Sequence, residues 1–168
     1  EDVVIPLERL GEYTDAIERI NIELSIKNKL ALLDALEEYL AGSPRIGKTG
    51  DADVDRLPRE EVLDGRPAAA LEVIAAGRQR WSGSTPPARR RGPGLRGGRP
   101  RPATGTFERL QDHTTRISWK KEVRSELRRI FSGGPFVPLL EDLEAIHGRV
   151  LRSRVFVALH MHAGDGNV

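Results

Sequence analysis

The sequence contains no cysteine, which excludes disulfide bonds, thiolate catalysis, iron–sulfur ligation and cysteine-based zinc sites. No apolar run approaches the roughly 20 residues that a membrane-spanning helix needs. The first segment also lacks the order of basic, apolar and small residues that marks a signal peptide. These absences are compatible with a cytoplasmic protein.

Acidic residues are missing from residues 86–102, which carry six arginines. The formal net charge is only +2, so the basic character is local and the remaining chain is net acidic. The wider segment 82–105 is rich in Gly, Pro and Arg, with Leu95 as its one large apolar residue, and we expect it to be disordered. As a phosphate-binding tail it would lack interleaved aromatic residues for base stacking. We favour a solvated linker or a frameshifted segment, because its residue types are those of GC-rich codons.

Elsewhere, helical spacing of apolar residues dominates. Two amphipathic helices are predicted in the first part, one after Pro6 and one over residues 24–41 with Gly42 as its stop. Pro58 opens a short turn, Pro67 opens a helix to about residue 81, and Ser118 caps a helix over 119–131. A last helix is predicted over 137–151, whereas residues 43–57 form a loop and residues 106–113 form one or two helical turns.

Two short apolar runs are richer in β-formers, at residues 2–5 (DVVI) and 155–159 (VFVAL). We therefore predict an α+β class, a mainly helical fragment bracketed by two short strands. The fragment interpretation is based on a chain that starts at Glu1 and ends inside an apparent motif. We expect a domain whose N-terminal part is 1–81 and whose continuation is 106–168, separated by the 82–105 segment.

Residues 42–49 (GSPRIGKT) match the phosphate-binding P-loop pattern literally. In such a loop the backbone amides surround phosphates between a strand and a helix. Here a predicted helix precedes Gly42, and Gly-Asp-Ala-Asp follows Thr49. We interpret the match as an ordinary helix-capping loop.

The closing residues carry the strongest candidate site. Alternation along a strand places His160 and His162 on one face, where two imidazoles could share a divalent metal or flank an anionic substrate. The glycines of the following Ala-Gly-Asp-Gly-Asn turn allow close approach of another molecule to the backbone. The alternative is a strand ending in an Asp-Gly turn with incidental histidines. His113 and His147 are isolated, and we expect surface or boundary positions for them.

Residues 162–167 (HAGDGN) resemble the signature of the C-terminal domain of FAD-linked oxidases of the D-lactate dehydrogenase and glycolate oxidase type. Residues 3–6 (VVIP), 118–120 (SWK) and 145–147 (AIH) are similar to a bacterial branch of that family. The similarity covers 1–81 and 106–168. The second histidine of the signature would follow Val168, and nothing in the chain resembles the FAD pyrophosphate-binding domain.

The resemblance implies a flavoenzyme substrate (cap) domain, which works with a separate FAD-binding domain of the same parent protein. Such enzymes oxidise a 2-hydroxy acid by hydride transfer to FAD and pass electrons to a quinone or another acceptor. We expect a fragment that is inactive alone, located in the cytoplasm or peripherally at the inner membrane.

The resemblance also implies roles for single residues. His162 is a contact for a divalent metal or for the substrate carboxylate, and His162 and Asn167 are the candidate catalytic residues. His160 is a further candidate metal ligand, and this role is based only on the alternation of side chains along the predicted strand. The turn that meets flavin and substrate consists of Gly164, Asp165, Gly166 and Asn167. A competing hypothesis is a non-enzymatic helical protein that binds nucleic acid through its arginine-rich segment, and we disfavour it.

Overall fold

A computed structural model describes residues 6–83 and 117–152 of the chain. All regular structure in these two ranges is helical, and they contain no strand. The predicted α+β class is therefore wrong for this part of the chain, which is a helical fold. Its apolar residues recur at helical rather than alternating spacing, so the backbone hydrogen bonds are made within helices. The two runs predicted as strands, 2–5 and 155–159, lie outside the described residues.

The first element is a single long helix, α1 (Leu10–Ala41), which follows a 3-10 turn at Leu7–Arg9. The prediction of two separate helices here is wrong. No glycine or proline occurs between Gly11 and Gly42, so nothing in the sequence ends the helix over its 32 residues. The predicted stop is confirmed, because Gly42 ends α1 and donates its amide to the Glu38 carbonyl oxygen at 3.2 Å.

A loop with a 3-10 turn at Val54–Arg56 leads to the short helix α2 (Arg59–Leu63) and then to α3 (Arg66–Ser82). Asp64 and Gly65 join the two helices with φ angles of 41° and 68°. Both residue types tolerate this left-handed region, which lets the chain turn sharply. The predicted short turn after Pro58 and the predicted helix after Pro67 are confirmed.

The second described range begins with a π-helical turn, Lys120–Arg124, that continues into α4 (Ser125–Ile130). The predicted cap is present: the Lys121 amide donates to Ser118 Oγ at 3.4 Å, and the Ser118 amide donates to Glu122 Oε1 at 3.1 Å. The prediction of a helix here is confirmed, but its first turn is wider than expected.

A break at Gly133, with φ of 115°, and a 3-10 turn at Gly134–Phe136 separate α4 from α5 (Val137–Arg152). This break and the following helix are as predicted. Helix α1 packs against α3 and α5, and α3 packs against α4 and the π-helical turn. At Gly77 of α3 an added Cβ would lie only 3.2 Å from Val123 Cγ2, so the missing side chain permits this close approach.

The helices enclose one hydrophobic core. The indole of Trp81 is fully buried in it and donates from Nε1 to Glu122 Oε2 at 2.7 Å. This bond satisfies the one polar atom of a large buried aromatic side chain. The core consists of Leu32, Leu33, Leu36, Leu40, Ala70, Ile74, Trp81, Val123, Leu127, Phe131, Phe136, Leu139, Leu143 and Ile146.

Candidate functional site

The residues predicted to form the site lie outside the described residues. The structure therefore gives no distance between any two of these residues. They are His160, His162, Gly164, Asp165, Gly166 and Asn167. Residues 6–83 and 117–152 hold no group of three or more His, Asp or Glu side chains that could bind a metal ion.

His147 lies on α5, the helix that precedes the closing residues in the chain. Its ring stacks on that of Trp119, with centroids 5.1 Å apart and planes inclined by 15°. Stacked aromatic rings at this distance stabilise the contact of two helices. The prediction that His147 is a boundary residue is confirmed, since it is half-buried.

Several hydrogen-bond donors of the loop that matches the P-loop pattern are engaged within the protein. The amides of Thr49 and Gly50 donate to the two carboxylate oxygens of Asp55 at 2.7 and 3.2 Å, and the Thr49 hydroxyl donates to Asp55 at 3.0 Å. The Gly47 amide donates to the Pro135 carbonyl oxygen at 2.8 Å. The Asp55 carboxylate thus accepts hydrogen bonds from amides that a bound anion would otherwise use.

These bonds also set the charge state of Asp55. The Thr49 amide, the Thr49 hydroxyl, the Gly50 amide and the nearby Lys48 charge hold the pKa of this carboxyl below its usual value, against a smaller opposing effect of desolvation. The exposed Asp55 carboxyl therefore stays ionised to a lower pH than an isolated aspartate does.

A cavity of about 180 Å³ opens beside this loop. The loop, the 3-10 turn and α2 contribute both apolar and charged side chains to its wall. Its lining residues are Ile46, Gly47, Lys48, Thr49, Val54, Asp55, Leu57, Arg59, Val62 and Pro135. Leu57 is 45% exposed at this place, which is high for a large apolar side chain.

A polar cluster of Tyr39, Arg45 and Asp142 joins the same loop to α1 and α5. The Tyr39 hydroxyl donates to Asp142 Oδ2 at 2.7 Å, and Arg45 donates to Oδ2 and Oδ1 at 2.8 and 2.7 Å in a bidentate pair. The backbone amide of Arg45 donates to the Tyr39 oxygen at 3.1 Å. We call this the loop clamp.

The loop clamp shifts the pKa values of its members. Hydrogen bonds from Arg45 and then from Tyr39 hold the pKa of Asp142 below its usual range. Burial, followed by the hydrogen bond to Asp142, raises the pKa of Tyr39 to about 12. The clamp was not found from the sequence, because Arg45 and Asp142 lie far apart in the chain and no local spacing signals their contact.

Arginines on α3, on the π-helical turn and on α4 form ion pairs with neighbouring acids. Arg78 pairs with both Asp34 and Glu37 of α1. Arg124 and Arg128 share Glu144 of α5 at 2.6 and 3.1 Å. Although partial burial opposes it, these two guanidinium groups hold the pKa of Glu144 below its usual value. The two acids that pair with Arg78 disfavour phosphate binding at that place on α3, because phosphate binding needs uncompensated positive charge.

None of the helices in the described ranges is both long enough and apolar enough to span a membrane. No protein-family model, curated protein or solved structure matches this chain.

Proposed function

We propose that this chain forms part of the substrate domain of an FAD-dependent enzyme that oxidises 2-hydroxy acids such as D-lactate or glycolate. The observation that carries the proposal is the run His-Ala-Gly-Asp-Gly-Asn at residues 162–167. It resembles the signature of FAD-linked oxidases, and its order of imidazole, glycine turn and amide suits recognition of a small carboxylate. A second imidazole, His160, precedes it at the spacing of one strand face.

The proposed chemistry assigns each part of the run a task. His162, with His160, would hold a divalent metal, for which neutral imidazole is a suitable donor, and would thereby orient the carboxylate and hydroxyl of the substrate. Gly164 and Gly166 would let the backbone approach flavin and substrate closely, and Asn167 would contribute a side-chain amide. FAD, held by its own domain, would supply the hydride-accepting chemistry.

The described helices fit the role of a scaffold in this proposal. Helix α5 ends at Arg152, shortly before the run in sequence, and its Leu139, Leu143 and Ile146 are buried in the core. Rigid elements hold binding groups more precisely than loops do. We further propose that the enzyme is cytoplasmic. If its electron acceptor is a quinone, the enzyme associates peripherally with the inner membrane.

The test replaces His162 with alanine in the native-length gene product loaded with FAD. Loss of a direct contact to the metal or to the substrate carboxylate reduces turnover per bound flavin by about 100-fold with D-lactate or glycolate. His147→Ala is the matched control, because His147 stacks on Trp119 and its loss affects packing rather than the reaction. Unchanged turnover in His162→Ala would leave the Asp-Gly turn with an incidental histidine as the better interpretation.

A further inference from the structure

The cavity beside the loop of residues 43–49, which follows Gly42 in the P-loop-like pattern, has lining residues that suit one class of ligand. We propose that it binds a short-chain carboxylate, with the carboxylate on Lys48 and the alkyl chain against the apolar wall. This inference does not rest on the proposed function, because every residue that it uses lies in the described ranges and none belongs to the 162–167 run. It rests on the charges, the lining and the size of the cavity.

The charges of the cavity favour a monoanion. Two cations, Lys48 and Arg59, and one carboxylate, Asp55, line it, which leaves one net positive charge. Asp55 is already engaged by the loop amides, and Arg59 donates to the Pro44 carbonyl oxygen. No carboxylate in residues 6–83 or 117–152 lies within ion-pair distance of Lys48. Lys48 is therefore the cation available to an incoming anion.

The same geometry disfavours a phosphate. Tight phosphate sites use several backbone amides as donors, and in this loop the Gly47, Thr49 and Gly50 amides already donate to Pro135 and Asp55. A phosphate would have to displace the Asp55 carboxylate or approach it with like charge. A carboxylate on the exposed Lys48 amine leaves the Asp55 hydrogen bonds in place, and its single charge is repelled less by Asp55 than a doubly charged phosphate would be.

The apolar lining favours a ligand with an alkyl chain. Ile46, Val54, Leu57 and Val62 line the cavity together with Pro135. Leu57 is 45% exposed, so a bound chain would remove apolar surface from water. The volume of about 180 Å³ is close to that of a cavity of about 150 Å³ that holds benzene, which corresponds to a ligand of about six heavy atoms. Butyrate has this size.

The walls of the cavity are held in place before a ligand arrives. The loop clamp fixes Arg45 on α5, and the Gly47 amide fixes the middle of the loop on Pro135 at 2.8 Å. A Cβ at Gly47 would lie 3.0 Å from Pro138 Cγ, so the loop and the start of α5 are in close contact. A preformed site loses less conformational freedom on binding than a flexible one.

The experiment is a titration of the ¹⁵N-labelled 168-residue chain with sodium butyrate at constant ionic strength, followed by amide chemical shifts. We expect saturable shifts at Thr49, Asp55 and Leu57, with a millimolar Kd. Lys48→Gln should raise the Kd about threefold or more, as expected for one partly exposed ion pair. Lys27→Gln, at an exposed lysine on α1 away from the cavity, should leave it unchanged.

Three further probes separate the contributions to binding. Acetate and neutral butyramide should each bind more weakly than butyrate, because the first lacks the chain and the second lacks the charge. Inorganic phosphate should also bind more weakly. The proposal is overturned by shifts that do not saturate, by equal Kd values for the parent and Lys48→Gln, or by phosphate binding at least as tightly as butyrate.

Discussion

Replacing Asp142 with asparagine removes the charge that holds the 43–49 loop against α5. Asp142 accepts one hydrogen bond from Tyr39 at 2.7 Å and two from Arg45 at 2.8 and 2.7 Å. Its side chain is 24% exposed, whereas that of Arg45 is 62% exposed. The asparagine keeps one acceptor oxygen but presents an NH₂ group to a guanidinium.

The size of the effect follows from this unequal exposure. Solvent screens the exposed Arg45 side of the pair, so that side contributes little to stability. The more sheltered hydrogen bond from Tyr39 to a charged acceptor adds about 1 kcal/mol. We therefore expect Asp142→Asn to lower the free energy of unfolding by about 1 kcal/mol at neutral pH, chiefly through the weakened hydrogen bond from Tyr39.

Urea unfolding followed by far-ultraviolet circular dichroism measures this loss. Asp53→Asn is the matched control, because the Asp53 side chain is 95% exposed and its replacement should change the free energy of unfolding by less than about 0.5 kcal/mol. The double variant with Tyr39→Phe should show a coupling of about 0.5 kcal/mol or more. Equal stabilities of Asp142→Asn and the parent would refute the role given to the loop clamp.

The clamp also predicts a dependence on pH. The folded-state pKa of Asp142 lies below its unfolded value, so its stabilisation is complete above the unfolded pKa of about 3.9 and is lost as the pH falls through the folded value. The folded-state pKa of Tyr39 is raised from 10.0 to about 12, so its contribution is present below pH 10 and is lost as the pH rises towards about 12. A stability difference between the parent and Asp142→Asn that persists unchanged at acidic pH would contradict this account.

Two further substitutions test the packing of the helices by urea unfolding. Glu122→Ala leaves the buried indole N–H of Trp81 without its 2.7 Å acceptor and should lower the free energy of unfolding by about 1–3 kcal/mol. Glu122→Gln keeps an acceptor and should lower it less. Equal losses of stability in the two variants would contradict the hydrogen bond between Glu122 and Trp81. Gly133→Ala places a Cβ on a residue with φ of 115° and should cost about 1–3 kcal/mol. Gly134→Ala is its control, since a Cβ there meets no atom within 4 Å, and a Gly133→Ala protein as stable as this control would exclude backbone strain.

The positions of α3, α4 and α5 were predictable because local signals mark their ends. Pro67 lies in the first turn of α3, Ser118 caps the start of the second range, and Gly133 breaks the chain before α5. The division of α1 into two helices was predicted wrongly, because no Gly or Pro lies between Gly11 and Gly42 to end the helix.

Features that depend on distant contacts could not be predicted. The π-helical turn brings Glu122 to Trp81, and the loop clamp brings Asp142 to Arg45; each pair is far apart in sequence. The α+β prediction was based on two short apolar runs, and periodicity alone does not distinguish a short strand from a buried helical segment. The candidate site at His160 and His162 was found from spacing and resemblance, and it remains a prediction.

The reduction of bound flavin by a 2-hydroxy acid tests the central proposal most directly. The native-length gene product, loaded with FAD, is mixed without oxygen with D-lactate or glycolate, and the visible absorbance of the flavin is followed. We predict that at least one of these acids bleaches the flavin and yields the matching 2-oxo acid in equal amount, and that His162→Ala slows the bleaching. A flavin that dithionite reduces but that stays oxidised with every 2-hydroxy acid tried would contradict the proposed function.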